Sequence, residues 1–399
     1  MTKQFFVVFD TCTQAAYYSD VHQVLALPEG AVIRYEYKRR LFKADAAAEI
    51  DRLTAHPSGL PLPVLLMYGQ KQGFAQNSPE PTTMLSRADS VFIPTRSADL
   101  VAVFVDKGAE ASEDILYLHL RLRGFVSPDA PAVQTLITAL EADNALPFGD
   151  KATQYKWISL LPPALAGDAI QLTSNDQTVW PAVVDRFVTA PTQFKDDVFW
   201  RVRGLSEERG GGHAEEVKLV DRATNDRVHA DRFRCDYPLS ESKRYLVTIQ
   251  THSPQAHGAN VPAGATIAMT SEDDDQALLK LAADPLPVVP NQVASKRFSI
   301  STDAAIDTRF TGIRLETQVP GAVGKFPPGS TCSLTFSIRK ERWRLFVGFA
   351  LMLLGTAIAS YATGAKPDGW TSAALGVAGV LCLAVGGWLL TRQFKLGKS

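Results

Sequence analysis

Cysteine is scarce in this sequence of 399 residues, and its placement excludes the classes of protein that depend on it. Four cysteines occur, and no two have the short spacing of zinc-binding pairs. A disulfide-stapled secreted domain would carry more of them in a shorter chain. We also expect no signal peptide, since only five apolar residues, 5–9, precede Asp10. We therefore expect reduced thiols in a reducing compartment.

Net charge is nearly absent too, at −1, but the charges are unevenly placed. A disordered chain is excluded because 46% of the residues are hydrophobic. Residues 339–399 carry eight basic and two acidic side chains, a net charge of +6, so the preceding residues are at −7. This asymmetry indicates that residues 339–399 lie in a different environment from the rest of the chain.

Charged residues are missing from two runs near the end, 345–363 and 371–391. Each run makes a helix about 30 Å long, the thickness of the hydrocarbon core of a bilayer. Basic residues flank the pair in 339–344 and in the tail 392–399, whereas the loop 364–370 holds one lysine and one aspartate. The positive-inside rule therefore predicts a transmembrane hairpin, multi-pass in the cell inner (plasma) membrane, with both termini cytoplasmic.

Small residues recur along one stripe of each predicted span. In lipid, close approach of two backbones drives helix association. We predict that the two stripes pack against each other within one hairpin, and the alternative is that they join neighbouring copies. The candidate packing residues are Gly348, Gly355, Ala359, Gly376, Gly379 and Gly386.

The rest of the sequence divides into two parts by its periodicity. Residues 1–150 mix short apolar runs and alternating strands, including 91–93, 100–105 and 115–123, with two helical segments near 45–54 and 131–144. This mixture predicts an α+β cytoplasmic domain. In 151–340 the helical period nearly disappears, and short strands alternate with proline and glycine. This pattern predicts a β-rich, sandwich-like antiparallel domain, with a division into two subdomains near 255 as the alternative.

Common catalytic motifs are absent, including phosphate-binding loops, zinc-protease helices and the nucleophile elbow of hydrolases. Asp10 is the one catalytic candidate, because it directly follows an apolar strand. The metal-ligand candidates are His213, His229, His252 and His257. No two of these histidines have a spacing that aims both rings at one point, so we expect loop histidines without a metal or another cofactor.

Aromatic and basic residues interleave around Tyr35 and Tyr37, as they do on surfaces that stack nucleic-acid bases. The net charge of −7 on residues 1–338 argues against binding to the phosphate backbone of a nucleic acid. We expect these tyrosines in the core and do not expect nucleic acid as a partner.

Together these features predict a membrane-anchored, cytoplasm-facing binding protein, a sensor or adaptor without a catalytic site of its own. An accessory role in a stress or defence pathway fits this prediction. The expected partners are the lipid bilayer and another protein, including a second copy of the chain. Two alternatives stay open: a membrane-tethered hydrolase with its site near Asp10, and an oligomerising effector that perturbs the membrane.

Overall fold

The structure is a computed structural model, and it describes most of the chain, with gaps. The described residues are 5–11, 15–71, 90–142, 146–147, 156–161, 173–174, 178–189, 194, 197–209, 213–220, 233–241, 243–253, 262–271, 279–281, 284–300, 309–322, 329–339, 343–364 and 369–393.

Strands outnumber helices in the described residues. The helices are α1 (Ala15–Ala26), α2 (Ala44–Ala55), α3 (Pro131–Ala142), α4 (Val179–Thr189), α5 (Trp343–Gly364) and α6 (Gly369–Gln393). The first seven strands are β1 (Phe6–Thr11), β2 (Val32–Lys38), β3 (Leu62–Lys71), β4 (Ser90–Asp106), β5 (Ile115–Val126), β6 (Ile158–Leu160) and β7 (Thr173–Ser174). The others are β8 (Phe199–Glu208), β9 (Ala214–Val217), β10 (Phe233–Arg234), β11 (Asp236–Ser240), β12 (Arg244–His252), β13 (Thr266–Ser271), β14 (Leu279–Leu281), β15 (Leu286–Pro287), β16 (Val293–Ile300), β17 (Arg309–Gln318) and β18 (Thr331–Arg339).

The first sheet has eight strands in the order β10-β2-β5-β4-β3-β1-β6, and β7 also pairs with β5. β1 runs parallel to β3, and the other pairings are antiparallel. β1 is apolar throughout because both of its faces are buried: Phe6 and Val8 belong to the cluster with α1, α2 and α4, while Val7 and Phe9 belong to the cluster with α3. This sheet therefore lies between two helical layers.

Two further sheets of five strands follow, ordered β11-β18-β17-β13-β15 and β14-β16-β12-β8-β9. Side chains of the two sheets touch: Phe298 on β16 stacks on Phe336 of β18, with ring centroids 5.3 Å apart. The indole of Trp200 on β8 donates to Thr317 Oγ1 on β17 at 2.9 Å. One continuous apolar cluster runs from the first sheet through α1 into both of these sheets.

The last two helices form a hairpin and pack against each other. Both α5 and α6 are long and apolar enough to cross a membrane, over Phe346–Gly364 and Gly369–Trp388. Together with the strand-rich sheets, this hairpin confirms the prediction of a β-rich region followed by two apolar helices.

The sequence patterns missed two helices and divided one strand into two. α1 has its buried residues Val21, Val24 and Leu25 at helical spacing, and α4 begins at Val179 within the region predicted to be almost purely β. Residues 91–93 and 100–105, predicted as separate strands, belong to one strand, β4, which is irregular between them. β6, β7 and β10 join the first sheet from beyond residue 150, so this sheet continues past the predicted domain boundary.

Candidate functional site

A cavity of about 180 Å³ lies where the first sheet meets the sheet that contains β8. Its walls come from the segment after α1, from β4, from β5 and from β8. The lining residues are Leu27, Pro28, Glu29, Arg96, Arg123, Gly124, Phe125, Arg201, Val202 and Arg203. We call this cavity the arginine pocket, because four arginines and one glutamate are its charged residues.

Arg96 is the innermost of these arginines, with 1% of its surface exposed. Its Nη1 donates to the carbonyls of Val24 and Leu27 at 2.8 and 2.7 Å, at the end of α1 where helical carbonyls lack partners. Its Nε donates to the carbonyl of Arg123 at 2.6 Å. Burial, and secondarily the charge of Arg201, lower the pKa of Arg96 to about 9, so the group is still protonated at pH 7.

A break in the strand ladders positions Arg96. Arg96 pairs with Leu66 on one side and with Phe125 on the other, and the register shifts next to it on both sides. Such bulges re-aim side chains and occur often beside functional sites. The ring of Phe125 lies 4.4 Å from the Arg96 guanidinium carbon, which gives this cation a π-face in place of water.

Arg201 and Arg203 share one face of β8, because side chains two residues apart on a strand point the same way. Phe199 shares that face and contacts His22 of α1, with ring centroids 5.2 Å apart. The ladder between β8 and β12 skips Arg203, since Gly204 pairs with Thr248 and Val202 with Ile249. A second bulge therefore lies beside the pocket.

The guanidinium of Arg201 is held by neutral groups. Its Nε donates to Gln250 Oε1 at 2.9 Å, and its guanidinium carbon lies 5.4 Å from the ring of Phe125 and 5.1 Å from that of Trp180. Burial, and secondarily the charge of Arg203, lower the pKa of Arg201 to about 10. The positive charges of Arg201 and Arg203 therefore act on each other at the pocket.

The positive charge of the pocket is only partly balanced. Arg123 is paired with Asp99, its Nε donating to Oδ2 at 2.7 Å. In the part of the chain that the structure describes, no carboxylate forms an ion pair with Arg96, Arg201 or Arg203. Glu29 is exposed at the rim and is the one carboxylate in the lining. The pocket therefore presents an excess of positive charge to whatever enters it.

Asp10 lies elsewhere, in β1, where it pairs with Tyr68 of β3. Its side chain is buried. The hydroxyls of Tyr68 and Tyr35 lie 2.7 Å apart, and burial, with the charges of nearby groups including Asp10, raises the pKa of Tyr68 well above its usual value. Tyr35 thus belongs to the core, and Tyr37 is half-buried with its hydroxyl donating to the carbonyl of Phe9 at 3.0 Å.

The candidate histidines are not brought together in the described residues. His213 is exposed, and His229 and His257 lie outside the described residues. His252 ends β12, where its Nε2 lies 2.7 Å from Asp185 Oδ1 of α4 and its Nδ1 lies 2.9 Å from Asn291 Oδ1. Across the described ranges there is no group of three histidine, cysteine or acidic side chains placed to hold a metal ion.

The candidate packing glycines of the hairpin differ in their surroundings. A Cβ added at Gly355 would lie 2.9 Å from the carbonyl oxygen of Gly379, and one added at Gly386 would lie 2.8 Å from that of Gly348. A Cβ at Gly379 would lie 3.6 Å from the backbone nitrogen of Ala359. A Cβ at Gly376 would meet nothing within 4 Å.

Sequence reasoning did not identify the arginine pocket. Its arginines come from three strands that are far apart in sequence, and no short motif joins them. The one local signal is in β8, where Arg201 and Arg203 alternate with the buried Trp200 and Val202. In comparisons with protein-family models and with curated proteins, nothing matches this chain.

Proposed function

We propose that this chain is a membrane-anchored binding protein of the sensor or adaptor type. In this proposal α5 and α6 hold the protein in the bilayer, both termini are cytoplasmic, and the part before residue 340 binds a partner or ligand. The two five-stranded sheets pack face to face as a sandwich, a reading that the Phe298–Phe336 and Trp200–Thr317 contacts support.

The main support for the membrane anchor is the apolar surface of the last two helices. Fourteen large apolar side chains are exposed in the described residues, and twelve of them lie on α5 and α6. Phe346 is 73% exposed and Trp370 is 90% exposed. A soluble protein rarely leaves so large an apolar surface in water, whereas lipid would cover it.

The position of the hairpin supports a role close to the bilayer surface. β18 ends at Arg339, and α5 begins at Trp343, so three residues separate the sheet from the first span. A tether this short would hold the folded part against the headgroups. A membrane-bound sensor or adaptor needs such a placement to meet ligands or partners at the membrane.

Membrane extraction and a reporter fusion test this proposal. The full chain should stay in the membrane pellet after alkaline carbonate washing, because its two spans are embedded in lipid. A reporter fused after Ser399 should be active on the cytoplasmic side. Release of the full chain by carbonate would contradict the anchor, and a reporter active only on the opposite side would contradict the orientation.

A further inference from the structure

We propose that the arginine pocket binds the phosphate group of a small ligand. This inference gives the proposed binding function a site and a ligand class. It rests on that function but not on the membrane anchor, because every pocket residue lies before the hairpin.

The charge of the pocket favours a phosphate over a carboxylate. Four arginines and one glutamate line it, and Asp99 neutralises Arg123 from outside. With that pair counted as neutral, two positive charges remain in excess. A phosphate monoester carries about −1.5 to −2 at neutral pH, whereas a carboxylate carries a single charge. The dianion therefore matches the pocket more closely.

The guanidinium groups of Arg96 and Arg201 are held in place and keep free donors. An arginine has five N–H donors. The hydrogen bonds among the described residues use three of them on Arg96 and one on Arg201. The Arg96 Nη2 and both terminal nitrogens of Arg201 therefore have donors to offer. Planar donors fixed in advance suit the bidentate recognition of phosphate oxygens.

The size of the cavity limits what enters. Pockets that enclose drug-sized ligands hold roughly 300–1,000 Å³, and this one holds about 180 Å³. It fits a phosphate group and little more, so the remainder of the ligand extends past Glu29 and Arg203 at the rim. The bulges at Arg96 and Arg203 place donors on both sides of the junction between the sheets.

The same phosphate chemistry has two sources in a membrane-anchored protein, namely a soluble phosphorylated compound and the headgroup of a phosphorylated lipid. The experiment therefore has two arms. The full chain is purified in detergent micelles and titrated calorimetrically with inorganic phosphate, pyrophosphate and acetate. It is also reconstituted in nanodiscs of phosphatidylcholine with or without a phosphatidylinositol phosphate.

Three substitutions change the pocket, and one serves as a matched control. Arg201→Gln and Arg203→Gln each remove one cation, and Glu29→Gln removes the rim carboxylate. Arg314→Gln removes an exposed arginine from β17, outside the pocket lining, where it pairs with Glu316. Arg203, Glu29 and Arg314 are exposed. Substitutions there should leave the fold intact, so these three variants decide the outcome even if Arg201→Gln weakens folding.

We expect saturable binding of phosphate or pyrophosphate and much weaker binding of acetate. Arg201→Gln and Arg203→Gln should each raise Kd by about tenfold, the cost of one charge-assisted hydrogen bond. Glu29→Gln should lower Kd, and Arg314→Gln should leave it unchanged. Binding only of the phosphorylated lipid, with the same order among variants, supports the site and assigns the lipid source.

Three results would overturn the site. They are no binding in either arm, equal Kd values for the wild type and the pocket variants, and equal weakening by Arg314→Gln and Arg203→Gln. The last result would indicate attraction to the surface as a whole. None of these results affects the carbonate extraction, so the membrane anchor is tested independently of the phosphate site.

Discussion

A buried arginine is stable only where its surroundings replace the water that the guanidinium loses. Arg96 meets this need with three backbone carbonyls and the ring of Phe125. All of these partners are neutral, and no carboxylate among the described residues forms an ion pair with Arg96, although the charge of Glu29 at the rim acts on it. At the scale of one residue, this combination distinguishes a group that can attract an anion from one that only completes an ion pair.

Asp114 shows the opposite arrangement, a buried carboxylate enclosed by donors. Lys107 Nζ lies 2.9 Å from its Oδ2, the backbone nitrogen of Gly108 lies 3.1 Å from its Oδ1, and Arg39 Nε lies 3.4 Å from Oδ2. The hydrogen bond from Lys107 contributes most to lowering the pKa of Asp114. These contacts join the β4–β5 turn to the residues after β2.

A pH dependence follows from this lowered pKa. A carboxyl group with a lowered pKa in the folded state stabilises the fold above its unfolded pKa, near 4, and this stabilisation is lost as the pH falls through the folded pKa. Asp114→Asn should therefore lower the urea midpoint at pH 7 and have a smaller effect near pH 3. Asp129→Asn, at an exposed position, serves as the control. An equal loss at both pH values would contradict the assignment.

At the scale of elements, the hairpin depends on glycines that let two backbones approach. Gly355 and Gly379 lie at one point where α5 and α6 approach closely, and Gly386 and Gly348 lie at another. Gly376, which is also on α6, faces open space. In lipid, packing of this kind replaces the hydrophobic effect as the source of helix association. The contact seen between these glycines joins α5 and α6 of one chain.

Gly355→Leu should therefore separate the two helices, because its Cβ alone would meet the Gly379 carbonyl at 2.9 Å. We expect a lower melting temperature in detergent for Gly355→Leu, and little change for the matched variant Gly376→Leu. Cross-linking in membranes would report any change of oligomeric state. Loss of an oligomer with the monomer still inserted would instead favour the effector that assembles between copies.

At the scale of the whole molecule, one apolar core joins all three sheets. α1 contacts both β8 and β18, and the indole nitrogen of Trp180 on α4 donates to the carbonyl of Leu25 on α1 at 3.1 Å. The arginine pocket opens at this same junction, so a ligand there would touch the first sheet and the second at once. Ligand binding would therefore change how strongly these two sheets are held together.

Truncation tests whether this core is self-sufficient. A chain ending at Lys340 should be soluble and unfold cooperatively, since among the described residues the buried cluster includes none from α5 or α6. Its circular dichroism should be dominated by β-structure, with a minority of helix. Aggregation, or a spectrum dominated by helix, would show that the hairpin is needed for folding or that the strands have been misplaced.

The sequence by itself determined the hairpin and most of the strands. The runs 345–363 and 371–391 need only length and the absence of charge, and the alternation in 115–123 is a local property of the chain. The sequence did not predict α4, because Pro181 and the β-rich surroundings obscured the helical spacing of Val183, Val184 and Phe187.

The arginine pocket was decided only by the tertiary structure. Arg96, Arg123 and Arg201 reach one cavity because β4, β5 and β8 meet there, and the sequence contains no signal for that meeting. Whether Arg96 is paired or unbalanced depends on which carboxylates fold near it, and Asp99 turned out to neutralise Arg123 instead. Periodicity reports the face on which a side chain lies, but electrostatic balance depends on distances between distant segments, and these exist only in the folded chain.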